Sequence, residues 1–317
     1  MPFEPVVFFF VLGAAAGLLR SDLKIPSSIY EFLSIYLLLA IGLKGGVKLA
    51  EYPLGEIALV SLVVMAAAAT IPLIAFPALR ALGGLSRADA GSIAGHYGSV
   101  SVVTFSVAVA FLSKRAIPYE GYLIVFLVLL EMPALIIGVI LAKYGSGGVR
   151  WGKMLHEVFF GKSILLLTGG LIIGLIAGPE GIKPLDALFF DLFKGMLALF
   201  LLEMGLVAST RIAELKNYGA FLLAFAVVMP LVAAVIGALT GTLLGLSVGG
   251  TLLLATLYAS ASYIAAPAAM RIAVPEANPA LSIGAALGVT FPFNIFFGLP
   301  IYYWLAEFFH GLGASAT

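Results

Sequence analysis

The 317-residue chain lacks cysteine, which excludes disulfide bonds, thiolate chemistry and cysteine-ligated metal sites. Charge is scarce as well, since Asp, Glu, Lys and Arg together supply 10% of the residues, against about 25% in soluble domains. A net charge of +1 gives no basis for nucleic-acid binding, which needs local excesses of Lys and Arg. The chain is instead 62% hydrophobic, with a mean hydropathy of +1.15. These values predict an all-α integral membrane protein.

Motifs for catalysis or for a bound cofactor are missing too. The three histidines, His96, His156 and His310, show no metal-ligand spacing, and neither an HExxH sequence nor a nucleophile elbow occurs. Lys44-Gly45-Gly46 lacks the spacing of a phosphate-binding loop. The chain is therefore predicted not to be an enzyme and to carry no cofactor.

About ten apolar stretches are long enough to cross a bilayer, which takes roughly 20 residues per helix. The predicted helices cover residues 5–20, 28–44, 54–82, 87–112, 118–143, 162–178, 185–209, 217–246, 248–272 and 279–308. The first is expected to be a transmembrane helix rather than a signal peptide, because no basic region precedes it. A short loop, residues 145–158, is predicted to join two halves, residues 1–144 and 159–317.

The distribution of Lys and Arg predicts the orientation, because basic residues favour the cytoplasmic side. With the N-terminus outside, the cytoplasmic loops contain Arg20, Lys24, Arg80, Arg87, Lys143, Arg150, Lys153, Lys162, Arg211, Lys216 and Arg271. The outer loops contain Lys44, Lys48, Lys114, Arg115, Lys183 and Lys194. Both termini are therefore predicted to face out of the inner (plasma) membrane. Five helices per half make the second half start from the opposite side, which predicts inverted repeats.

Two short sequences indicate that the halves are duplicates. A Tyr-x-Ser-x-Ser motif at residues 97–101 recurs at 258–262, an offset of 161 residues, and residues 38–43 resemble 201–206 at an offset of 163. Gly and Ser in the middle of an apolar run predict a helix that is interrupted where protein or water can satisfy its backbone. Interrupted helices in matching places hold ligands in transporters. Helices four and nine are therefore predicted to be broken and to cross near the membrane midplane.

Polar residues inside these helices are the first candidates for function, because a charge at the membrane centre costs about 2.5–3.5 kcal/mol. The serines of the two motifs suit a small anion, held by freed N–H groups, or Na⁺, held by freed oxygens. Each serine also has a purely structural interpretation, as a hydroxyl bonded back to a carbonyl one turn earlier or as a small residue at a helix contact. Glu131 either couples an ion, accepts bonds from helix N–H groups freed near Pro133, or is kept neutral by burial. Glu203 and Asn294 are further polar candidates, and His96 is either structural or a proton carrier.

At these residues the chain resembles the sodium-dependent bicarbonate transporter family of the SbtA type. The similarity runs through nearly the whole length, and the segment from Gly249 to Gly284 aligns without gaps. The residues that carry it are Ile41-Gly42-Leu43, Gly45-Gly46, Asp89-Ala90, Gly95, Gly98, Val100-Ser101, Thr104, Tyr119-Glu120, Pro133-Ala134-Leu135, Gly205, Arg211-Ile212, Glu214-Leu215, Gly249-Gly250, Ser260, Ser262, Pro267, Arg271, Pro275, Ala277-Asn278-Pro279, Ile283-Gly284, Pro292 and Pro300.

The resemblance implies a homotrimer in which each chain has a core domain, mainly helices 3–5 and 8–10, and a gate domain, mainly helices 1–2 and 6–7. It also implies a site for bicarbonate and Na⁺ between the two broken helices. The substrate-binding residues that it implies by position are Gly98, Ser99, Ser101, Thr104, Ser260, Ala261 and Ser262. Ser101 and Ser262 are the expected sodium ligands, and the residues expected to couple the ion are Ser262, Tyr263, Thr104, Glu131 and His96.

Three departures from the family pattern bear on this site. An aspartate of the second motif is Tyr263 here, the serine two positions earlier is Ala261, and a serine of the first motif is Val103. The missing carboxylate removes a charge that Na⁺ binding would use, and His96 is a residue that can compensate. The loop between the halves is also short, so the PII-like regulatory partner of the cyanobacterial proteins is not predicted for this chain.

The sequence thus predicts a secondary active transporter that moves bicarbonate or a similar small anion by sodium-coupled symport and alternating access. One alternative is a proton-coupled transporter of another small solute. A second is a membrane sensor or scaffold of the same fold that does not transport. A channel is disfavoured, because no segment resembles a selectivity filter.

Overall fold

The structure, a computed structural model, describes residues 5–144, 150–215 and 219–314. It is all-helical, with 83% helix and no strand in these ranges. The α-helices are α1 Pro5–Leu18, α2 Ser27–Leu49, α3 Leu54–Ala68, α4 Thr70–Ala81, α5 Arg87–Gly98, α6 Val102–Lys114, α7 Leu123–Leu129, α8 Glu131–Lys143, α9 Trp151–Phe160, α10 Lys162–Ile182, α11 Phe193–Leu215, α12 Ala220–Leu243, α13 Val248–Ala259, α14 Ala265–Ala273, α15 Pro279–Ile283, α16 Phe291–Phe293 and α17 Leu299–Ala314. A 3₁₀ turn covers Lys183–Leu185, and π-helical turns cover Ala187–Asp191, Gly284–Thr290 and Asn294–Gly298.

Eight helical stretches of the described ranges are long and apolar enough to cross a membrane, so this is a multi-pass membrane protein. They are Ser27–Leu49, Ile57–Ala81, Arg87–Lys114, Leu123–Lys143, Lys162–Leu185, Phe193–Thr210, Ala220–Leu243 and Pro279–Leu312. Two shorter apolar helices, Pro5–Leu18 and Val248–Ala259, fall below this length. The count of ten crossings, arranged as two inverted repeats, stays a prediction.

Two pairs of helices, α1 with α11 and α2 with α10, pack closely through glycine. On α2, Gly42 lies against Gly170 and, one turn further on, Gly46 lies against Gly174. Because residue numbers rise together along both helices, α2 and α10 run parallel. The same holds for α1 and α11, where Gly13 contacts Leu202 and Gly205 and Gly17 contacts Ser209. We call these four helices the paired group.

The remaining long helices surround α5 and α13. Helix α5 packs against α4 and α8, and α13 packs against α12 and α17. The span Arg87–Lys114, which contains α5, is the most buried of the eight, with 94% of its most apolar window inside the protein. Small residues make this packing close, since Gly95 lies beside Gly138 on α8 and Gly237 lies beside Ala255 on α13.

Carboxylates fix the starting ends of α5 and α13. Asp89 on α5 accepts a hydrogen bond of 2.7 Å from the main-chain N–H of Asn278, which lies in the connection after α14. Glu120 lies in the connection after α6, and it accepts a bond of 2.6 Å from the main-chain N–H of Ser247, at the start of α13. A helix N-terminus presents unpaired N–H groups and favours negative charge, so both contacts stabilise the helix starts.

The segment between the two halves, predicted as a loop, contains helix α9 in its described part. Met154 and Val158 are buried on one face of α9, which packs against α14, while Phe159 and Phe160 are exposed. An apolar stripe at helical spacing explains the helix. Residues 145–149 of this segment lie outside the described residues.

Candidate functional site

Both repeated motifs fall where the helix is interrupted. Helix α5 ends at Gly98, Ser99 has an extended backbone (φ −89°, ψ 179°), and α6 begins at Val102. Helix α13 ends at Ala259, Ser260 is extended in nearly the same way (φ −85°, ψ 166°), and α14 begins at Ala265. We call residues 99–101 the first unwound segment and residues 260–264 the second unwound segment.

One serine in each unwound segment caps the helix that follows. The hydroxyl of Ser101 accepts a hydrogen bond of 3.2 Å from the N–H of Thr104, and the hydroxyl of Ser262 accepts one of 3.2 Å from the N–H of Ala266. Ser is a preferred capping residue because its short side chain reaches these free N–H groups. These bonds satisfy one N–H group in the first turn of α6 and one in the first turn of α14, the helices that follow interruptions of three and five residues.

Hydrogen bonds join the second unwound segment to the first and to the last turn of α5. The N–H of Ser101 donates to the hydroxyl of Ser260 at 2.9 Å, and the N–H of Ser262 donates to the carbonyl of His96 at 2.9 Å. Ser99, Ser101, Ser260 and Ser262 are all buried, at 4% exposure or less. Unpaired backbone N–H groups are costly away from water, so these bonds hold the two interruptions together.

The carboxylate of Glu131 bridges the two unwound segments. Its Oε1 atom accepts a hydrogen bond of 3.0 Å from the hydroxyl of Ser99 and another of 3.0 Å from the hydroxyl of Ser262. The Glu131 side chain is 2% exposed. One carboxylate therefore contacts a serine from each repeated motif.

Pro133 explains why a new helix begins at Glu131. Pro133 has no N–H to bond to the carbonyl of Leu129, and its ring crowds that carbonyl. Helix α7 ends at Leu129 and α8 starts at Glu131. Glu131 is thus the first residue of a helix inside an apolar span.

Hydroxyl groups continue this network on the α6 side. The Ser101 hydroxyl donates to the Tyr263 hydroxyl at 3.3 Å and accepts from the Thr104 hydroxyl at 3.0 Å. Tyr263, which stands where the resemblance implies an aspartate, also packs edge-on against Phe291. The phenol therefore keeps an oxygen near Ser101 but brings no negative charge.

A small cavity of about 10 Å³ lies at the starting ends of α6 and α14. Its lining residues are Val100, Ser101, Val102, Glu131, Ser163, Ser262, Tyr263, Ile264 and Ala265. A larger cavity of about 220 Å³ shares Glu131, Ser163, Ile264 and Ala265 with it and continues to Glu157 and Lys162. Lys162 is exposed and forms a 2.9 Å ion pair with Glu31. The two cavities together lead from the protein surface to the Glu131 carboxylate.

Four of the predicted site residues line the smaller cavity, namely Ser101, Glu131, Ser262 and Tyr263, and the others lie around it. Gly98 faces Ala134 and Pro72 of neighbouring helices. Thr104 and Ser260 act through their bonds to Ser101, and Ala261 is buried beside them. The roles of all these residues in binding and in ion coupling stay predictions.

His96 lies one turn before the first unwound segment. Its Nδ1 atom bonds to the carbonyl of Ser92 at 2.8 Å, while Nε2 is buried and has no hydrogen-bond partner in the described part of the chain. The Ser92 contact gives Nδ1 the proton and leaves Nε2 as an acceptor. The carbonyl of His96 accepts from Ser262 and so joins α5 to the second unwound segment.

Two polar residues near the site gave little or no sequence signal. Ser163 lines both cavities, but a lone Ser in the first turn of a helix, next to Lys162, has no pattern that marks it. Asn294, noted only as a polar residue in an apolar run, donates to the carbonyl of Ala259 at 3.0 Å and accepts from the Tyr302 hydroxyl at 2.6 Å. It lies in a π-helical turn, a distortion that is frequent at functional sites.

Comparison with known proteins identifies the family of this chain. A search of curated proteins finds no match. A family model described as the Na⁺-dependent bicarbonate transporter superfamily matches residues 5–307. The match covers both unwound segments, Glu131 and the paired group. The chain therefore belongs to the Na⁺-dependent bicarbonate transporter superfamily.

Proposed function

We propose that this protein is a secondary active transporter that carries bicarbonate, or a similar small anion, together with Na⁺ by alternating access. Membership of a transporter superfamily supports transport rather than catalysis. The observation that carries the proposal is the bridge from the Glu131 carboxylate to Ser99 and Ser262, one serine from each repeated motif. A carboxylate and hydroxyls beside two helix starts supply groups for a cation and an anion at one place.

The oxygen atoms of this cluster suit Na⁺. In transporters, unwound backbone and the ends of half-helices coordinate Na⁺. Here Glu131 Oε1 lies 3.0 Å from the Ser99 and Ser262 hydroxyl oxygens. When Na⁺ binds, these hydroxyls turn their lone pairs to the ion and Glu131 supplies the negative charge. Glu131 thereby takes the role of the carboxylate that Tyr263 lacks, with Ser101 as a further oxygen ligand.

The anion is held by the helix starts at the same cavity. Helices α6 and α14 both begin at it, and a helix start carries partial positive charge and free N–H groups. Bound Na⁺ adds a full positive charge nearby. The two ligands therefore stabilise each other, which couples anion binding to Na⁺ binding.

The parallel pairing in the paired group supports an inverted repeat. Five crossings in the first half make helix six run parallel to helix two and helix seven parallel to helix one, as α10 with α2 and α11 with α1 do. The contacts also follow the duplication: Gly13 and Gly174, 161 residues apart, each pack against a helix of the other half. On this proposal the ten crossings include α1 and the interrupted pair α13–α14.

In alternating access, the helices around α5 and α13 act as the core, which moves relative to the paired group, the gate. The cavity that contains Lys162 and reaches Glu131 lies between α10 and α14. It opens on the side where the basic loops cluster, the cytoplasmic side if both termini face out of the inner membrane. The homotrimer implied by the resemblance is proposed in the same way, and chemical cross-linking in native membranes tests it.

Flux into liposomes tests the proposed function. Purified protein is reconstituted, and uptake of labelled bicarbonate, nitrate, sulfate and chloride is measured with a Na⁺ gradient and a pH gradient imposed separately. Bicarbonate uptake driven by Na⁺ is expected, and Ser101→Leu and Ser262→Leu should abolish it by filling the cavity. Uptake driven by the pH gradient alone would establish proton coupling, and no flux under any gradient would establish a membrane sensor or scaffold.

A further inference from the structure

A second large cavity lies at the opposite end of α2 from the one that reaches Glu131. Its volume is about 100 Å³. Its lining residues are Ala40, Ile41, Lys44, Phe105, Ser106, Val109, Ala110, Ser113, Tyr119, Ile124, Phe189, Phe190, Phe193 and Lys194. Lys44 is thirteen residues along α2 from Glu31, the partner of Lys162, and at 1.5 Å per residue this is about 20 Å. The two cavities therefore open toward opposite faces of the membrane.

The charge in this second cavity is of one sign. Lys44 and Lys194 both line it, and no acidic side chain is among its described lining residues. Lys44 and Lys194 are the two charged residues of this lining. Neither takes part in an ion pair within the described ranges, whereas Lys48, one turn further along α2, pairs with Glu51 at 2.9 Å. Two like charges facing one cavity without a counter-ion attract an anion.

The walls of the cavity strengthen this attraction. Phe105, Phe189 and Phe193 supply apolar surface, and interactions between charges are stronger beside low-dielectric walls than in open water. The hydroxyls of Ser113 and Tyr119 add hydrogen-bonding groups. The cavity thus combines positive charge, hydroxyls and a partly dry environment, the combination that favours a small oxyanion.

The position of the cavity connects it to the proposed transport route. Lys44 and Lys194 belong to the paired group, through α2 and α11, whereas Phe105 and Ser106 belong to α6. Phe105 lies one turn along α6 from Ser101, which lines the smaller cavity at Glu131. The second cavity therefore follows the boundary between the paired group and α6 toward the candidate site.

We propose that Lys44 and Lys194 form a binding site for a small inorganic anion at the mouth of the pathway, on the face opposite the Glu131-reaching cavity. This inference rests on the proposed function and adds to it the site that first concentrates the transported anion. The phosphate of a lipid headgroup offers similar chemistry, so the test separates the two ligands. The transported anion is favoured because the cavity leads toward Ser101.

The first measurement is the half-saturating bicarbonate concentration for Na⁺-driven uptake into liposomes of zwitterionic lipid. The variants are Lys44→Gln, Lys194→Gln and the double variant, with Lys48→Gln as the matched control. At low ionic strength the double variant should need about tenfold more bicarbonate, the lower end of what focused charge contributes. High salt should shrink the difference, because it screens exposed charges. The maximal rate should change little.

The second measurement does not depend on transport. Lysine acylation is followed residue by residue by mass spectrometry, with and without bicarbonate, in liposomes with and without anionic lipid. Bicarbonate should protect Lys44 and Lys194 but not Lys48. An unchanged half-saturating concentration in the double variant, with no protection, would overturn the proposal. Protection only by anionic lipid would assign the site to a headgroup instead. Protection by bicarbonate without any flux would keep the site and reject the proposed transport.

Discussion

Replacing Glu131 with Gln removes the charge of the candidate site while keeping its shape. Gln retains a carbonyl oxygen at the position of Oε1, so Ser99 and Ser262, both 3.0 Å away in the native protein, still have an acceptor. Hydrogen bonds to a neutral acceptor are weaker than those to a carboxylate by about 1 kcal/mol each. The variant is therefore expected to fold, with a modest loss of stability.

The larger effect falls on Na⁺. Loss of one partner from a buried ion pair costs about 3–5 kcal/mol, and Glu131 is 2% exposed. Taking the lower end because the serine oxygens remain, a loss of about 3 kcal/mol raises the half-saturating Na⁺ concentration about a hundredfold. Since the anion and Na⁺ stabilise each other in the proposed mechanism, the half-saturating bicarbonate concentration should rise as well.

Uptake of labelled bicarbonate into liposomes, measured against Na⁺ concentration, checks this expectation. Glu203→Gln is the matched control, because it removes a carboxylate from α11, outside the cavity lining. Thermal unfolding in detergent shows whether both variants fold. A Glu131→Gln protein that folds and keeps the native Na⁺ dependence would refute the assignment of this carboxylate to ion coupling.

Three further predictions concern stability. Gly174→Val should destabilise the protein by about 1–3 kcal/mol, because a side chain there meets the backbone of α2, whereas Gly169→Val, with open space around it, should not. Glu120→Ala should cost about 1–3 kcal/mol, since it leaves the N–H that starts α13 without its 2.6 Å partner. Lys143, 2.6 Å from Glu276, holds the pKa of that carboxyl below its usual value. The pair therefore stabilises the fold at neutral pH, by less than about 1 kcal/mol at its half-exposed position, and this contribution is lost as the pH falls through the lowered pKa.

Thermal unfolding in detergent measures all three. Equal melting temperatures for the two glycine variants would contradict the close contact between α2 and α10. For Glu120→Ala the comparison is Glu51→Ala, which breaks an exposed ion pair and should have little effect. Lys143→Gln should lower the melting temperature at pH 7 but not in acid, where the native Glu276 is protonated; an equal loss at both pH values would contradict the ion pair.

Composition and periodicity determined the class of this protein and the places where its chain crosses apolar surroundings. A segment of about 20 apolar residues partitions into a bilayer whatever its neighbours do, so scarcity of charge and run length were sufficient. The repeated Tyr-x-Ser-x-Ser motif marked both unwound segments, because Gly and Ser in an apolar run are local features. The resemblance to a bicarbonate transporter family followed from residues spread over the chain, and the family match confirms it.

Tertiary structure decided which of these groups meet. Glu131 contacts Ser99 and Ser262, which are 32 and 131 residues away, and Ser163 enters the cavity from another helix without any sequence pattern. Hydropathy places a helix in the membrane, but it does not set the rotation and crossing of that helix against its neighbours. Those depend on shape, such as the glycine contacts that hold α2 parallel to α10 and the proline that starts α8 at Glu131.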